Sequence, residues 1–300
     1  MDAECGYRVR MCVSAASANF SQTIVYTGRL RDPELGLVNV FGYQNAAMNL
    51  SDGPNAMLLH LPTADLSPEQ FISVGARGNV LDDMATAVPI GAGPTMRGGV
   101  AAAMAASGGA VVFDHDIYTI VLADDANAIP AALSQVDYRR RPAVSAELCE
   151  FYAARFPSHT IVLCCFDNAD MRRAHPLMLW YRPDDPDLLV LPGVDEHAGS
   201  VPALGAPVDR DHVLIWSTGD ATSDWGHRVT YRGRLRHALR RFLPDRVSGV
   251  RLSWMDDQGA LFRNGDFTIT HDDLVAERLD RARLSVPDGR FETPAPVVTP

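Results

Sequence analysis

Apolar residues fall along this chain in short runs separated by turn residues. FSQTIVYTGRL, from Phe20 to Leu30, reads as a strand, LGLVNVFGYQN as a second and NAMLLHLP as a third. In the third run Ala56, Leu58 and His60 alternate with Met57, Leu59 and Leu61. Both sets are apolar, so the pattern predicts a strand buried on two sides and stopped by Pro62. Ser51-Asp52-Gly53-Pro54 supplies the turn that precedes it. Three strands with short links predict an antiparallel sheet at the N-terminus. Ser67 as N-cap, Pro68 at the first helical position and Gln70 three residues on predict a helix start.

The second half opens with FDHDIYTIVLADD, read as a single strand ending in acidic residues. Asp124 or Asp125 is placed to cap ANAIPAALSQV. In SAELCEFYAARF, Leu148, Cys149, Tyr152 and Phe156 share one helical face and Ser145 stands at the N-cap. HTIVLCCF, DHVLIWST and HRVTYRGRL read as strands, and PLMLWYRPDDPDLLVLP as two extended segments around a proline turn. RHALRRFLP reads as a short basic helix. VRLSWMDDQGALFRNGDFTIT offers two strands and an Asn264-Gly265 hairpin signal. Strands outnumber helices and do not alternate strictly with them, which predicts an α+β fold, β-rich, with mainly antiparallel sheets and a few packed helices. The expected organisation is a β-rich lobe over residues 1–90, a flexible Gly/Ala-rich connection over 91–113, a second α+β lobe over 114–286 and a disordered proline-rich tail over 287–300.

Composition narrows the function classes. At 47% hydrophobic and 21% charged, the 300 residues are ordinary for a soluble globular protein. A net charge of −10 disfavours nucleic acid, whose phosphates require a basic footprint. No uncharged run, Gly98 to Phe113 included, reaches the roughly 20 residues of a membrane span. MDAECGYRVRM lacks the apolar core of a signal peptide, so the expected compartment is the cytoplasm. No lysine occurs: all 27 Lys-or-Arg positions are arginine. A P-loop and a pyridoxal phosphate Schiff base both require lysine, so these cofactor classes are excluded. IGAGPTMRGG, from Ile90 to Gly99, lacks the G-K-[ST] ending and the Rossmann glycine spacing, and reads as a loop.

The order of pieces resembles an uncharacterised bacterial family known only as a domain of unknown function. The resemblance runs over about residues 4–215. It rests on Cys5-Gly6…Cys12, on Tyr43-Gln44-Asn45 at the place of a YQG-like turn, and on LLHLP at the place of a strand ending Leu-Pro-x-Pro. YTIVLADD, SAELCEFYAARF and HTIVLCCF follow in the family's order. Thr63 and Ala64 follow Pro62, so the second proline is absent. The family has no assigned reaction, so the resemblance implies a fold and not an activity.

Candidate chemistry is sparse. Cys5 and Cys12 are spaced for a small disulfide loop in an oxidising compartment, or are free thiols. Cys164 and Cys165 point to opposite faces of a strand, and Cys149 lies on an apolar helix face, so these three read as core. Cys12 is the remaining candidate nucleophile, with His60 or His115 as its base. Asp114, His115 and Asp116 form the candidate metal or acid–base cluster, without H-E-x-x-H or C-x-x-C spacing to strengthen it. His197 beside Glu196, and His271 before Asp272 and Asp273, are weaker fragments of the same kind. Tyr43, Gln44, Asn45 and Asn55, with His60, are candidate ligand contacts on turns. Arg236, His237, Arg240 and Arg241 make a basic helix that reads as a charged face or a receiver for a phosphate or acidic partner. No G-x-S-x-G elbow occurs. The leading expectation is a soluble binding or structural module whose partner is a protein or small molecule. The alternatives are a cysteine-dependent hydrolase or amidase built on Cys12, and a metal-dependent enzyme around His115.

Overall fold

After a two-residue strand, β1 (Val13–Ser14), the chain forms its longest hairpin from β2 (Ala18–Asp32) and β3 (Gly36–Asn49). The hairpin closes because Asp32 Oδ1 accepts the N–H groups of Glu34 and Leu35, at 2.8 and 3.0 Å, and Gly36 adopts a φ of +78°. A computed structural model describes residues 12–75, 78–90, 109–166, 175–233, 235–252 and 262–285. Next come β4 (Asn55–Leu61), α1 (Val80–Ala87), β5 (Ala110–His115), β6 (Tyr118–Ala123), α2 (Ile129–Ala132), α3 (Ala146–Arg155) and β7 (Thr160–Phe166). Then follow β8 (Leu177–Tyr181), β9 (Leu188–Leu191), β10 (Pro207–Val208), β11 (Val213–Thr218), β12 (His227–Arg228), α4 (His237–Arg240) and β13 (Arg246–Arg251). The chain closes with β14 (Phe262–Arg263), β15 (Asp266–Thr270), α5 (His271–Val275) and β16 (Arg283–Ser285).

A six-stranded sheet runs in the order β12-β13-β11-β2-β3-β8, antiparallel except where β2 and β11 pair in parallel. A five-stranded antiparallel sheet runs β1-β4-β7-β6-β5. Two small ladders, β16-β15-β9 and β10-β14, complete the pairing. The two large sheets face each other across a core that includes Phe20, Val25 and Phe41 from one, and Met57, Leu59, Ile120 and Cys164 from the other. The outer face of the five-stranded sheet is covered by α2 and α3, which bring Ile129, Leu148 and Tyr152 onto Leu58, Val121 and Leu163. The outer face of the six-stranded sheet is covered by α1 and α4, through Leu81, Met84 and Leu239 against Tyr26, Val40 and Ile215. Each such side chain contributes roughly 1.5–3 kcal/mol through its removal from water. The fold is α+β and β-rich, in four layers.

Local signals are realised where chain neighbours decide the outcome. Ser145 accepts the Leu148 N–H at 3.2 Å and starts α3, whose Leu148, Cys149 and Tyr152 are buried. Asp125 caps the next turn through Asn127. All seven residues of β4 are buried, as two-sided alternation requires. Cys164 and Cys165 lie in the cores on opposite faces of β7.

Several expectations need correction. β4 does not join the β2–β3 hairpin; it pairs with β1 and β7 in the opposing sheet, where one apolar face packs between the two sheets and the other under α2 and α3. The strands of residues 1–90 therefore make no separate lobe, since each large sheet combines them with strands from after residue 109. Ser67 and Gln70 form a capping box, but over a single 3-10 turn, Pro68–Gln70; the helix begins at Val80. Phe113–Asp125 is a hairpin, not one strand, because Asp116 turns the chain at a φ of +49°. Asn264 and Gly265 do not close a hairpin, since β14 pairs with β10 and β15 with β9 and β16. HRVTYRGRL is a strand only at His227–Arg228. Residues 91–108 and 286–300, expected as connection and tail, lie outside the described residues, as does Cys5.

The parallel pair carries one tight requirement. The Tyr26 hydroxyl and Ser217 Oγ lie 2.8 Å apart directly over Gly28, where a Cβ would overlap both. Gly28→Ala is expected to lose about 1–3 kcal/mol of unfolding free energy, by overpacking and by parting that hydrogen bond. Denaturant titration measures it, and a neutral result would mean the pair is not held at this point.

Candidate functional site

β4 carries His60 onto the helix-covered face of its sheet. The imidazole is 1% exposed. Its Nε2 lies 2.8 Å from Asp266 Oδ2, and its ring stacks on Phe156 with centroids 3.8 Å apart. The other oxygen of Asp266 accepts the Gly193 N–H at 2.9 Å. Burial alone pushes the Asp266 carboxyl up; the attraction and hydrogen bond of His60 outweigh it and hold the group below the usual carboxylate range. Nearby, Asp195 and His197 approach to 2.9 Å, and Arg210 is fully buried. Arg210 donates to the carbonyls of Arg263 and Gly265 and lies over the Phe267 ring. Burial lowers its pKa to about 10. Asp266, Asp195 and Arg210 were not singled out in the sequence, where they are isolated charged residues with no spacing signal.

Cys12 and His60 come close to one another without forming a catalytic couple. Both border, with Tyr43, Gly193, Val194 and His212, a closed cavity of about 10 Å³, room for a single water. The Cys12 sulfur is engaged by the Tyr43 hydroxyl and by the Asn45 amide at 3.2 Å, and not by an imidazole. Burial raises the Cys12 thiol, the opposite of the activation a nucleophile needs. The expected turn residues Tyr43, Gln44 and Asn45 lie inside β3 and are buried. Gln44 bonds Asp82 at 3.2 Å. Asn55 is the first residue of β4, and its amide ties down Ala16 and Asn49. These polar groups are buried at the strand junction and not presented to solvent, and the amide oxygens of Gln44 and Asn45 have no hydrogen-bond partner among the described residues.

The Asp114–His115–Asp116 segment does not converge either. Asp114 accepts from the Thr119 hydroxyl at 2.7 Å, and Asp116 from Ser73 Oγ and the Val74 N–H at 2.7 and 3.1 Å. His115 lies edge-on to Phe71 and 3.6 Å from Asp116. Among the described residues, no group of three His, Cys, Asp or Glu side chains is placed to hold a metal. His271 meets Thr218 Oγ1 at 3.0 Å, and the basic residues Arg240 and Arg241 are paired with Asp245 and with Asp32 and Glu34.

A more spacious site lies elsewhere. A cleft of about 340 Å³ opens at the C-terminal ends of β2 and β11. Its lining includes Tyr26, Gly28, Ser217, Thr218, Thr222, Ser223, Trp225 and Phe242, with Arg29, Asp245 and Arg246. Gly28 lets the Tyr26–Ser217 pair form the floor. Gly219 donates to the Arg29 carbonyl at 2.9 Å and turns the chain away from the sheet after β11. Trp225 donates to the Leu274 carbonyl at 2.9 Å, which fixes the far end of this loop. The only sequence hint was the run Ser217-Thr218-Gly219-Asp220 directly after an apolar strand.

No family model matches the chain, and no curated protein matches it. Among solved structures, the chain is similar to that of baculovirus P35, at 14% identity and a TM-score of 0.38 over 68% of this chain and 67% of that one. It is also similar to a mutated baculovirus P35 after caspase cleavage, at 11% identity and a TM-score of 0.34 over 65% of each chain. Likeness at this level assigns no function. No described helix is long and apolar enough to cross a membrane.

Two outcomes are expected. In native protein, Cys12, Cys149, Cys164 and Cys165 react with iodoacetamide only on unfolding, since all four are buried with raised thiol pKa values. Timed alkylation with peptide mapping checks this, and fast labelling at Cys12 would restore the nucleophile reading. The second concerns acid. Burial lowers His159 to about 3 and His212 to about 4, both below their ordinary value of 6.5. Below pH 6.5 the unfolded chain therefore takes up protons that the folded chain refuses. Each imidazole removes up to about 1.4 kcal/mol per pH unit. Stability should fall steadily from pH 6.5 toward 4, and His212→Gln should flatten the slope. A melting temperature unchanged between pH 7 and 5 would refute it.

Proposed function

We propose that the protein is a non-catalytic binding module whose ligand enters the cleft at the C-terminal ends of β2 and β11. The supporting observation is the composition of that cleft. Hydroxyl and aromatic groups line it; among the described residues no histidine or cysteine does, and the one carboxylate there, Asp245, is engaged by Arg240. Such a lining offers hydrogen bonds and apolar contact without a base to move a proton. Its volume lies at the lower end of the roughly 300–1,000 Å³ common for ligand pockets. Strand ends at a parallel pair also leave outward-facing backbone groups on which ligands are commonly held.

The test uses a lining position that tolerates bulk. A Cβ at Gly219 meets nothing closer than the Arg29 carbonyl at 3.7 Å, so Gly219→Trp is expected to fold and obstruct the cleft. A metabolite library is screened by thermal shift against both proteins. Expected hits stabilise the native chain only, and amide exchange slows over residues 217–225 and 242–246. Hits that stabilise both proteins equally, or that protect another face, would overturn the reading.

A further inference from the structure

Residues 228–251 hold eight of the chain's 27 arginines and a single carboxylate, Asp245, in a protein whose net charge is −10. Most of these arginines are accounted for. Arg232 pairs with Asp83, Arg240 with Asp245, and Arg241 with Asp32 and Glu34. Arg251 donates to the Ala85 and Val88 carbonyls at the end of α1. Arg228 is not accounted for: like Arg236, it is exposed and has no hydrogen bond or ion pair among the described residues. Arg246 is bonded to the carbonyls of Asp224, Trp225 and Gly226; among the described residues it makes no ion pair within bonding distance, although the Asp224 carboxylate feels its charge.

These two arginines are direct cross-strand partners on β12 and β13. Val229 donates to the Asp245 carbonyl at 2.9 Å, so the Arg228–Arg246 pair occupies a non-hydrogen-bonded position. Opposed side chains lie closest at such positions, and like charges there destabilise the ladder. Gly226 holds the register: it sits at a φ of +57°, and a Cβ would lie 2.6 Å from the Val247 carbonyl. The same geometry turns the N–H and C=O of Arg228 outward. β12 is the outermost strand of its sheet, and among the described residues no strand pairs with that edge; just before it, Glu277 Oε1 accepts the Gly226 N–H at 2.9 Å. Arg246 also lines the cleft.

We propose that this edge binds an acidic, extended peptide segment of a partner protein. The segment adds to β12 by backbone hydrogen bonds and sets its carboxylates between Arg228 and Arg246, with a neighbouring side chain in the cleft. Strand addition accounts for the open edge, and the carboxylate offsets the repulsion that the register imposes. Nucleic acid fits less well, because the surrounding chain is strongly acidic. The inference deepens the cleft reading and rests on it for the side-chain contact.

The experiment is fluorescence anisotropy of a labelled, alternating Glu/Val probe peptide against the full chain. The native protein binds it, and added salt weakens the binding. Arg228→Glu places opposite charges across the ladder, so its melting temperature should rise while affinity falls about tenfold or more. Arg228→Lys should retain most of the affinity, and Arg139→Glu, at a remote exposed position, should change nothing. Equal binding to native protein and Arg228→Glu would overturn the proposal. So would equal binding of a Gln/Val probe, or tighter binding of single-stranded DNA. If the probe fails while cleft ligands still bind, the peptide edge falls and the cleft stands. If the probe binds through Arg228 but ignores Gly219→Trp, and the library yields no cleft ligand, the edge stands without the cleft.

Discussion

A hydrogen bond between the Tyr26 hydroxyl and Ser217 Oγ, possible only because Gly28 has no side chain, joins two parallel strands 191 residues apart in register. Parallel strands cannot be linked by a tight turn. Here the connection contains the five-stranded sheet apart from β1, together with its helices, so most of the second layer is the crossover of the first. The pairing also creates the cleft. Both strands end on the same side, and the chain leaves β11 through Gly219 while β2 runs on into its hairpin with β3. A fold built from such distant contacts gathers its stability late, since loop closure precedes the packing that compensates it.

The second constraint is the polar seam between the sheets and the small ladders. His60, Asp266, Asp195 and Arg210 lie inside, where an unpaired charge is strongly unfavourable. Asp266 is tied to the backbone of Gly193 and Arg210 to that of Arg263 and Gly265, while the Asn264 side-chain amide holds the N–H and C=O of Asp195. These bonds fix where β9, β14 and β15 sit relative to β4. A purely apolar seam would tolerate slippage of such short strands. The polar seam tolerates little, because a shift parts His60 from Asp266 and breaks these backbone bonds. We read Cys12, Tyr43 and Asn45 as the continuation of this seam rather than as a reactive centre.

Sequence pattern carried the fold as far as neighbours in the chain decide it. The alternation in β4, the Ser145 cap, the amphipathic face of α3 and the opposed Cys164 and Cys165 follow from residues within a turn or two of each other. Partner choice does not. Nothing within Asn55–Leu61 says that β4 belongs with β7, and the turn at Asn264-Gly265 looks like a hairpin whether or not its flanking strands pair. The site was less legible still. Tyr43, Gln44 and Asn45 resemble ligand-facing turn residues because polar residues ordinarily avoid strand interiors. Their burial became acceptable only through partners such as Cys12 and Asp82, which the fold brings from elsewhere. The cleft residues are serine, threonine and glycine, common in any loop, and only the parallel pairing gathers them.

The absence of lysine takes on structural meaning in this light. Arg29, Arg210, Arg246 and Arg251 all donate to backbone carbonyls, and Arg210, Arg246 and Arg251 each reach more than one. A planar guanidinium with five fixed donors suits that task, whereas an ammonium on a flexible stem does not. Arginine acts here as a fastener for irregular backbone, and its charge is incidental to that role or neutralised by a carboxylate. Arg228 fits neither description. It fastens nothing among the described residues, faces another arginine, and stands where a neutral or acidic residue would make the ladder more stable. A side chain that opposes the stability of its own strand is the kind of local conflict that binding sites retain, because what relieves it comes from another molecule.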